Sequence, residues 1–220
     1  AVTPINTTNA WEKFQDDGQG AAPELLYRPL TVEVDLEKKA LHSIAFENLE
    51  DPVLYEIYRE KQQELDLQLT AIDLRNSRRF KEVSRLLYGS VEAELLAMAR
   101  DILALPHSSG IESKGEGGLE GHVDCYELKA AAGQMVAEYQ AGYSGFDVEI
   151  VIRDDLPPGM MVSGNCLMIS RNTRMTRSRV QALLSHEIGV HLMTYFAGDA
   201  QGLRIFRTGL AGYEGIQEGL

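Results

Sequence analysis

The chain of 220 residues is short of cysteine, with Cys125 and Cys166 alone, and short of basic side chains, with 21 Lys and Arg against 33 Asp and Glu. Two cysteines are too few for a disulfide framework, so a pair of buried thiols in a reducing compartment is the expectation. A formal net charge of −12 argues against a nucleic-acid partner, whose recognition needs a basic footprint. No apolar run approaches the ~20 residues needed to span a bilayer, and no secretory leader opens the chain, so a cytoplasmic protein without a membrane partner is expected. What the chain does have is 44% hydrophobic residues, enough over this length to bury a large core as one large domain or two small ones.

The chemistry-bearing stretch is Ser185-His186-Glu187-Ile188-Gly189-Val190-His191, followed by Glu218 near the C-terminus. Two imidazoles and two carboxylates are the inventory of a catalytic zinc site, in which three protein ligands hold the metal and a further glutamate handles protons. The spacing is HExxxH rather than the HExxH of the familiar zinc-peptidase helix. On a regular helix, residues four apart differ by about 40° around the axis and residues five apart by about 140°. A regular helix therefore points His186 and His191 away from each other. One extra residue in a single wide turn brings the second ring back, and Gly189 tolerates the distortion, so a π-bulge is predicted at Ile188 to Val190. Val180, Leu183, Leu184, Ile188 and Leu192 recur at helical spacing, which sets the polar triplet on a helix packed against a core.

Upstream, residues 1–29 are rich in Thr, Asn, Gly and Asp and read as mostly irregular, with Trp11, Phe14 and Tyr27 as anchors. From Asp35 to about Ala104 the pattern is helical, with Asp51-Pro52 as a start signal and Arg75 to Arg79 as an interruption. Residues 106–121 are glycine-rich with few apolar side chains, which predicts a connector or lid flanked by His107 and His122, both expected to be solvated. Asp124 and Glu127 form a capping-box start for a helix to about Tyr143. Phe146 to Arg153 reads as a strand, and Gly164-Asn165 as the two-residue turn of a hairpin from Met160 to Ser170. The fold class is therefore α+β, with a helical region in 1–105, the connector, and a core in 122–220 made of a small sheet and the motif-bearing helix. Met160, Met161, Met168, Met175 and Met193 read as core fillers, since no thiolate cluster accompanies them. Arg171, Arg174, Arg177 and Arg179 oppose the dipole of the helix they precede and read as a solvated face or as an attractor of an acidic peptide tail.

His186 to His191, Gly209-Leu210-Ala211-Gly212-Tyr213 and Gln217-Glu218-Gly219-Leu220 together resemble the bacterial QEGLA-motif proteins. Those are described as modulators of flavohaemoglobin expression and are related to the vertebrate microtubule-associated tyrosine carboxypeptidases. The resemblance extends upstream through Arg75 to Ser90 and covers most of the chain. It implies that His186, His191 and Glu218 ligate Zn2+ and that Glu187 is the general base of a metallopeptidase acting on the C-terminus of a peptide or protein. The order helix, strands, motif helix resembles the gluzincin core, and in that setting an edge strand pairs with the substrate backbone. This likeness places the hairpin Met160 to Ser170 in that role, with Leu167, Met168 and Ile169 as its edge, against the alternative of an ordinary core hairpin.

Tyr213, Arg204 and Arg207 lie between the motif helix and Glu218 and are candidates, by position, for the oxyanion partner and the cation that a carboxypeptidase needs. Ligating imidazoles must be neutral, so metal affinity is expected to fall with pH. The family motif continues with alanine and a further helical region, whereas this sequence runs from Ala1 to Leu220, so a fragment is expected, with Glu218 near a frayed end and the zinc site empty or incomplete. The rival reading is a regulatory or interaction protein that keeps the metal as structure. A hydrolase of non-peptide amides has the same ligand chemistry.

Overall fold

The computed structural model describes residues 4–18, 20, 22–105 and 121–220. Asp51 accepts hydrogen bonds from the Val53 and Leu54 amides ahead of Pro52, and so starts the longest helix, α3 (Pro52–Asp73). Around it lie α1 (Thr7–Asp16), α2 (Val34–His42), α4 (Phe80–Tyr88) and α5 (Ala93–Ala104). Helix α1 corrects the expectation of an irregular N-terminus, since Ala10 is buried on it while Trp11 is 55% exposed and lies against Phe14 of the same helix. Tyr27 does anchor: it bridges to Pro4, and its ring lies 5.4 Å from the Arg75 guanidinium. The connector lies outside the described residues except for Gly121, and so does His107.

His122 opens β1 (His122–Asp124), which pairs antiparallel with β5 (Arg174–Thr176). Asp124 then caps α6 (Cys125–Gly142) through the capping box with Glu127. The second sheet contains β2 (Glu149–Arg153), β3 (Met160–Ser163) and β4 (Cys166–Ser170) in the order β2-β4-β3. Gly164, at a φ of 61°, supplies the left-handed residue of the turn joining β3 to β4. Strand β4 is thus central, paired antiparallel with β3 and parallel with β2.

That order overturns Leu167, Met168 and Ile169 as the substrate-pairing edge. Both sides of β4 are already hydrogen-bonded, and Leu167 and Ile169 are fully buried. The edge strand beside the motif helix is β3.

Above the sheet runs a continuous helix over residues 177–199: α7 (Arg177–His186), a π-helical turn (Glu187–Leu192) and α8 (Met193–Asp199). Leu184, Ile188, Leu192 and Phe196 point from it into a core shared with Leu128, Ala132 and Val136 of α6, Phe146, and Leu167 and Ile169 of β4. Two short helices follow, α9 (Arg204–Arg207) and α10 (Glu214–Gly219). Cys125 is a buried free thiol and Cys166 a half-buried one. No described helix is long and apolar enough to cross a membrane.

The four arginines ahead of the motif helix are all exposed, as a solvated face would have them, and two of them make surface ion pairs. Arg171 pairs with Asp154 and donates to the Tyr126 hydroxyl at 2.7 Å, and Arg177 pairs with Glu127 at 3.0 Å.

Helix α2 is tied to α3 by Asp66, which accepts from Lys38 and His42, each at 3.1 Å. Burial pushes the Asp66 carboxyl up, but the two hydrogen bonds and their charges outweigh it and hold its pKa below the ordinary value. A depressed folded-state pKa stabilises fully above the unfolded-state pKa and is lost as pH falls through the folded value. Asp66→Asn is expected to cost about 1–2 kcal/mol at neutral pH in denaturant unfolding. The gap from wild type should close as the pH is lowered into the carboxylate range.

Candidate metal centre

The π turn at Glu187–Leu192 is the wide turn that the i, i+5 spacing requires, and it spans the predicted bulge. Its consequence is that the His186 and His191 rings meet edge to face, with centroids 4.6 Å apart and planes at 84°. Their Nε2 atoms are 3.1 Å apart. Glu218, brought in on α10, puts one carboxylate oxygen 3.6 Å from His186 Nε2 and the other 3.5 Å from His191 Nε2. One donor atom from each of the three residues fits within 4.8 Å of the others.

Gly189 makes this turn possible in a second way. A methyl group there would sit 2.9 Å from the Tyr139 hydroxyl, so α6 approaches the turn over a bare backbone.

The donor set fits zinc. A tetrahedral ion with bonds of about 2.0–2.1 Å separates neighbouring ligand atoms by about 3.3–3.4 Å, against 3.1 Å between the two Nε2 atoms and 3.5–3.6 Å from each of them to the oxygen of Glu218 it faces. His191 Nδ1 lies 3.1 Å from Gln217 Oε1, an acceptor only, which assigns the proton to Nδ1 and leaves the Nε2 lone pair facing the centre. Two nitrogen lone pairs at 3.1 Å repel one another unless a proton or a cation lies between them. The side chains of His186 and His191 are 26% and 20% exposed and that of Glu218 is 67% exposed, so the centre opens toward solvent on the side of α10.

Glu187 lines the cleft next to the three donors. Burial pushes its carboxyl up, the two imidazoles pull it down, and Glu218 adds to the rise, with a raised pKa as the result. The cleft has a volume of about 500 Å³ and is bordered by Met160, Met161 and Val162 of β3, by Tyr195 of α8 and by Arg207 of α9. Arg207 Nε lies 2.9 Å from Asp199 Oδ1, and its guanidinium carbon is 4.9 Å from the Tyr195 ring centre.

Of the residues singled out from sequence, His186, Glu187, His191, Glu218 and Arg207 come together here. Tyr213 and Arg204 do not join them. Tyr213 packs against Gly209 and lines an adjoining apolar cavity with Phe206 and Leu210, while Arg204 is exposed on α9. Met160 packs against the core as expected while also lining the cleft, whereas Met161, expected as a filler, is 42% exposed and lines the cleft.

Sequence reasoning missed Gln217 and Tyr195, and within the hairpin it assigned to substrate pairing it chose the central strand rather than the β3 edge. Tyr195 was findable, because it follows His191 by four residues and so shares its helix face. Gln217 stood in the motif beside Glu218 but had no chemistry of its own until a histidine faced it.

A profile of the microtubule-associated tyrosine carboxypeptidase family matches residues 12–220. The chain belongs to this family. Among curated proteins and among solved structures, none matches it significantly. The carboxypeptidase family match covers the cleft with its candidate metal donors, the sheet beside it and the helices α2 to α5.

Arg207 reaches the cleft because α9 lies against α8 at Gly198. A methyl group on Gly198 would fall 2.0 Å from the Phe206 carbonyl oxygen and 2.9 Å from the Arg207 nitrogen. Backbone cannot yield as a flexible side chain does, so Gly198→Ala is expected to cost about 2–4 kcal/mol in thermal or denaturant unfolding. A methyl at Gly133, which meets nothing within 4 Å, should be tolerated in the same assay.

Proposed function

We propose that the chain is a zinc-dependent metallopeptidase of carboxypeptidase type, with His186, His191 and Glu218 holding the ion and Glu187 acting as general base. The observation that carries this reading is the convergence of two imidazole nitrogens and a carboxylate, with a second carboxylate alongside, on a cleft bordered by a free sheet edge. Zinc bound there supplies Lewis acidity, which polarises a scissile carbonyl and acidifies water.

Glu187 accepts the proton of the attacking water and delivers it to the leaving nitrogen. Its raised pKa suits a group that must both take and return a proton near neutral pH. Gln217 holds the His191 tautomer, and with it the lone pair offered to the ion. The outer edge of β3 offers backbone hydrogen bonds to an extended substrate, with Met160 and Val162 among the side chains it meets. Arg207, oriented by Asp199 and the Tyr195 ring, is the cation for the substrate's terminal carboxylate, and the Tyr195 hydroxyl is the oxyanion donor. The family's name couples the activity to tyrosine, and for this chain the proposed substrate is the C-terminus of a peptide or protein.

Glu187→Gln separates this reading from a metal that serves only as structure. The expected outcome is unchanged zinc content by elemental analysis, with trimming of a peptide library at least about 100-fold slower. A variant that trims at the wild-type rate with its zinc intact would refute the catalytic role. Gln217→Leu should weaken zinc binding about 10–100-fold in a competition titration, because the His191 tautomer is then no longer fixed.

A further inference from the structure

Glu218 sits on α10, a six-residue helix that buries none of its side chains. A helix so short has no stability of its own in water, since isolated helices below ~12 residues are marginal. Ile216, its one aliphatic side chain before the C-cap, is 57% exposed, so apolar packing does not hold it either. Something else must place the carboxylate.

Besides the hydrogen bond between Glu214 and the Tyr88 hydroxyl of α4, two polar ties reach this segment. One is the His191 contact with Gln217 at the metal end. The other comes from far away in sequence: the Gly212 amide donates to Glu64 Oε2 on α3 at 2.7 Å, across 148 residues of chain. The second oxygen of Glu64 pairs with Lys61, and both side chains are mostly buried, at 12% and 14% exposure. Glu64 is thus a fixed acceptor, oriented by a cation one turn away. Gly212 has a φ of 71°, a left-handed conformation that turns its amide toward α3 just before α10 begins. The Glu214 carboxylate at the start of α10 faces the Tyr88 hydroxyl of α4, whose pKa is raised by burial first and then by that charge and by Glu64.

We infer that Glu64 is a positioning residue for the third metal ligand: by holding the Gly212 amide, it docks α10 on the helical layer and sets where the Glu218 carboxylate meets the two imidazoles. The inference rests on the proposed zinc site. It gives α3 a function in that site, although no side chain of α3 lines the cleft. By linkage, docking of α10 and metal binding must each strengthen the other.

Zinc affinity of the full chain, measured by competition with a chromophoric chelator, tests this. Glu64→Ala should bind zinc about tenfold more weakly or worse, because a charged hydrogen bond to the docked segment is gone. Glu64→Gln, which keeps an oxygen acceptor for Gly212, should recover most of that loss. Asp66→Asn, two residues along α3 and tied to α2 instead, should lower stability but leave zinc affinity unchanged. Wild-type affinity in a folded Glu64→Ala protein overturns the inference. So does a Glu64→Gln variant as weak as Glu64→Ala, or an equal loss in Asp66→Asn, since either assigns the effect to general loosening. Hydrogen exchange of the Gly212 amide in the wild-type protein gives a readout free of any variant: slow exchange without metal, slower still with zinc, supports the clamp. Exchange as fast as in an unstructured chain overturns it. Absence of zinc binding by the wild-type chain sinks the metal reading instead, and a protected Gly212 amide would then still establish the Glu64 tie.

Discussion

Residues five apart on a regular helix look about 140° away from each other, so two imidazoles at that spacing reach one point only where the backbone takes an extra residue into a turn. The π turn from Glu187 to Leu192 does this, and the rest of the molecule is arranged to hold it. Ile188 and Leu192 on its inner side are fully buried in the core, so the wide turn is pinned between apolar contacts rather than free to relax to α geometry. Tyr139 closes over Gly189, where no other side chain would fit without displacing it. The same turn exposes the backbone shift on its outer side, and there the two rings and Glu187 face the cleft.

The two halves of the donor set differ in how the chain specifies them. The histidine pair is local: one helix, one bulge, one glycine. The carboxylate is non-local and arrives through a thin succession of turns after α8. Gly198 allows α9 to lie directly on α8, and Gly209 and Gly212 reverse the chain at positive φ. Glu64 and His191 then take hold of the returning segment from opposite sides. Hydrogen bonds and close backbone approach substitute here for a hydrophobic face, which α10 lacks.

This division explains what could be read in advance. Local signals were legible: the caps at Asp51 and Asp124, the turn at Gly164, and the bulge demanded by HExxxH spacing. Strand order was not, because the parallel pairing of β2 with β4 depends on which hairpin strand slides inward, and both strands carry apolar side chains. Leu167 and Ile169 looked like an edge on sequence but are the best-buried part of the sheet, while the methionines of β3 kept the free side. In the same way, Tyr213 and Arg204 were near Glu218 in sequence only, whereas Tyr195 was near His191 on the helix face that matters. Helix α1 was hidden by a composition of Thr, Asn and Asp that favours turns, and a single buried Ala10 marks its contact with the body.

Charge sets a final constraint on what such a cleft admits. The chain carries a formal −12, and the cleft itself holds Glu187 and Glu218, so an anionic C-terminus meets a repulsive field on approach. Arg207 is the cation lining this cleft among the described residues, and Asp199 engages it through Nε. The pair is electrostatic, since Nε lacks hydrogen-bond geometry toward that carboxylate, and the two terminal nitrogens have no carboxylate partner among the described residues, which leaves them able to grasp a planar carboxylate in two hydrogen bonds. The Tyr195 ring lies against the guanidinium, 4.9 Å from ring centre to its central carbon, and adds a cation–π attraction. A divalent ion between the histidines and Glu218 would reverse the local sign. With the ion proposed there, substrate recruitment and metal loading would be coupled electrostatically: the cation would offset the repulsion of an anionic terminus, and the bound terminus would hold the cation more tightly.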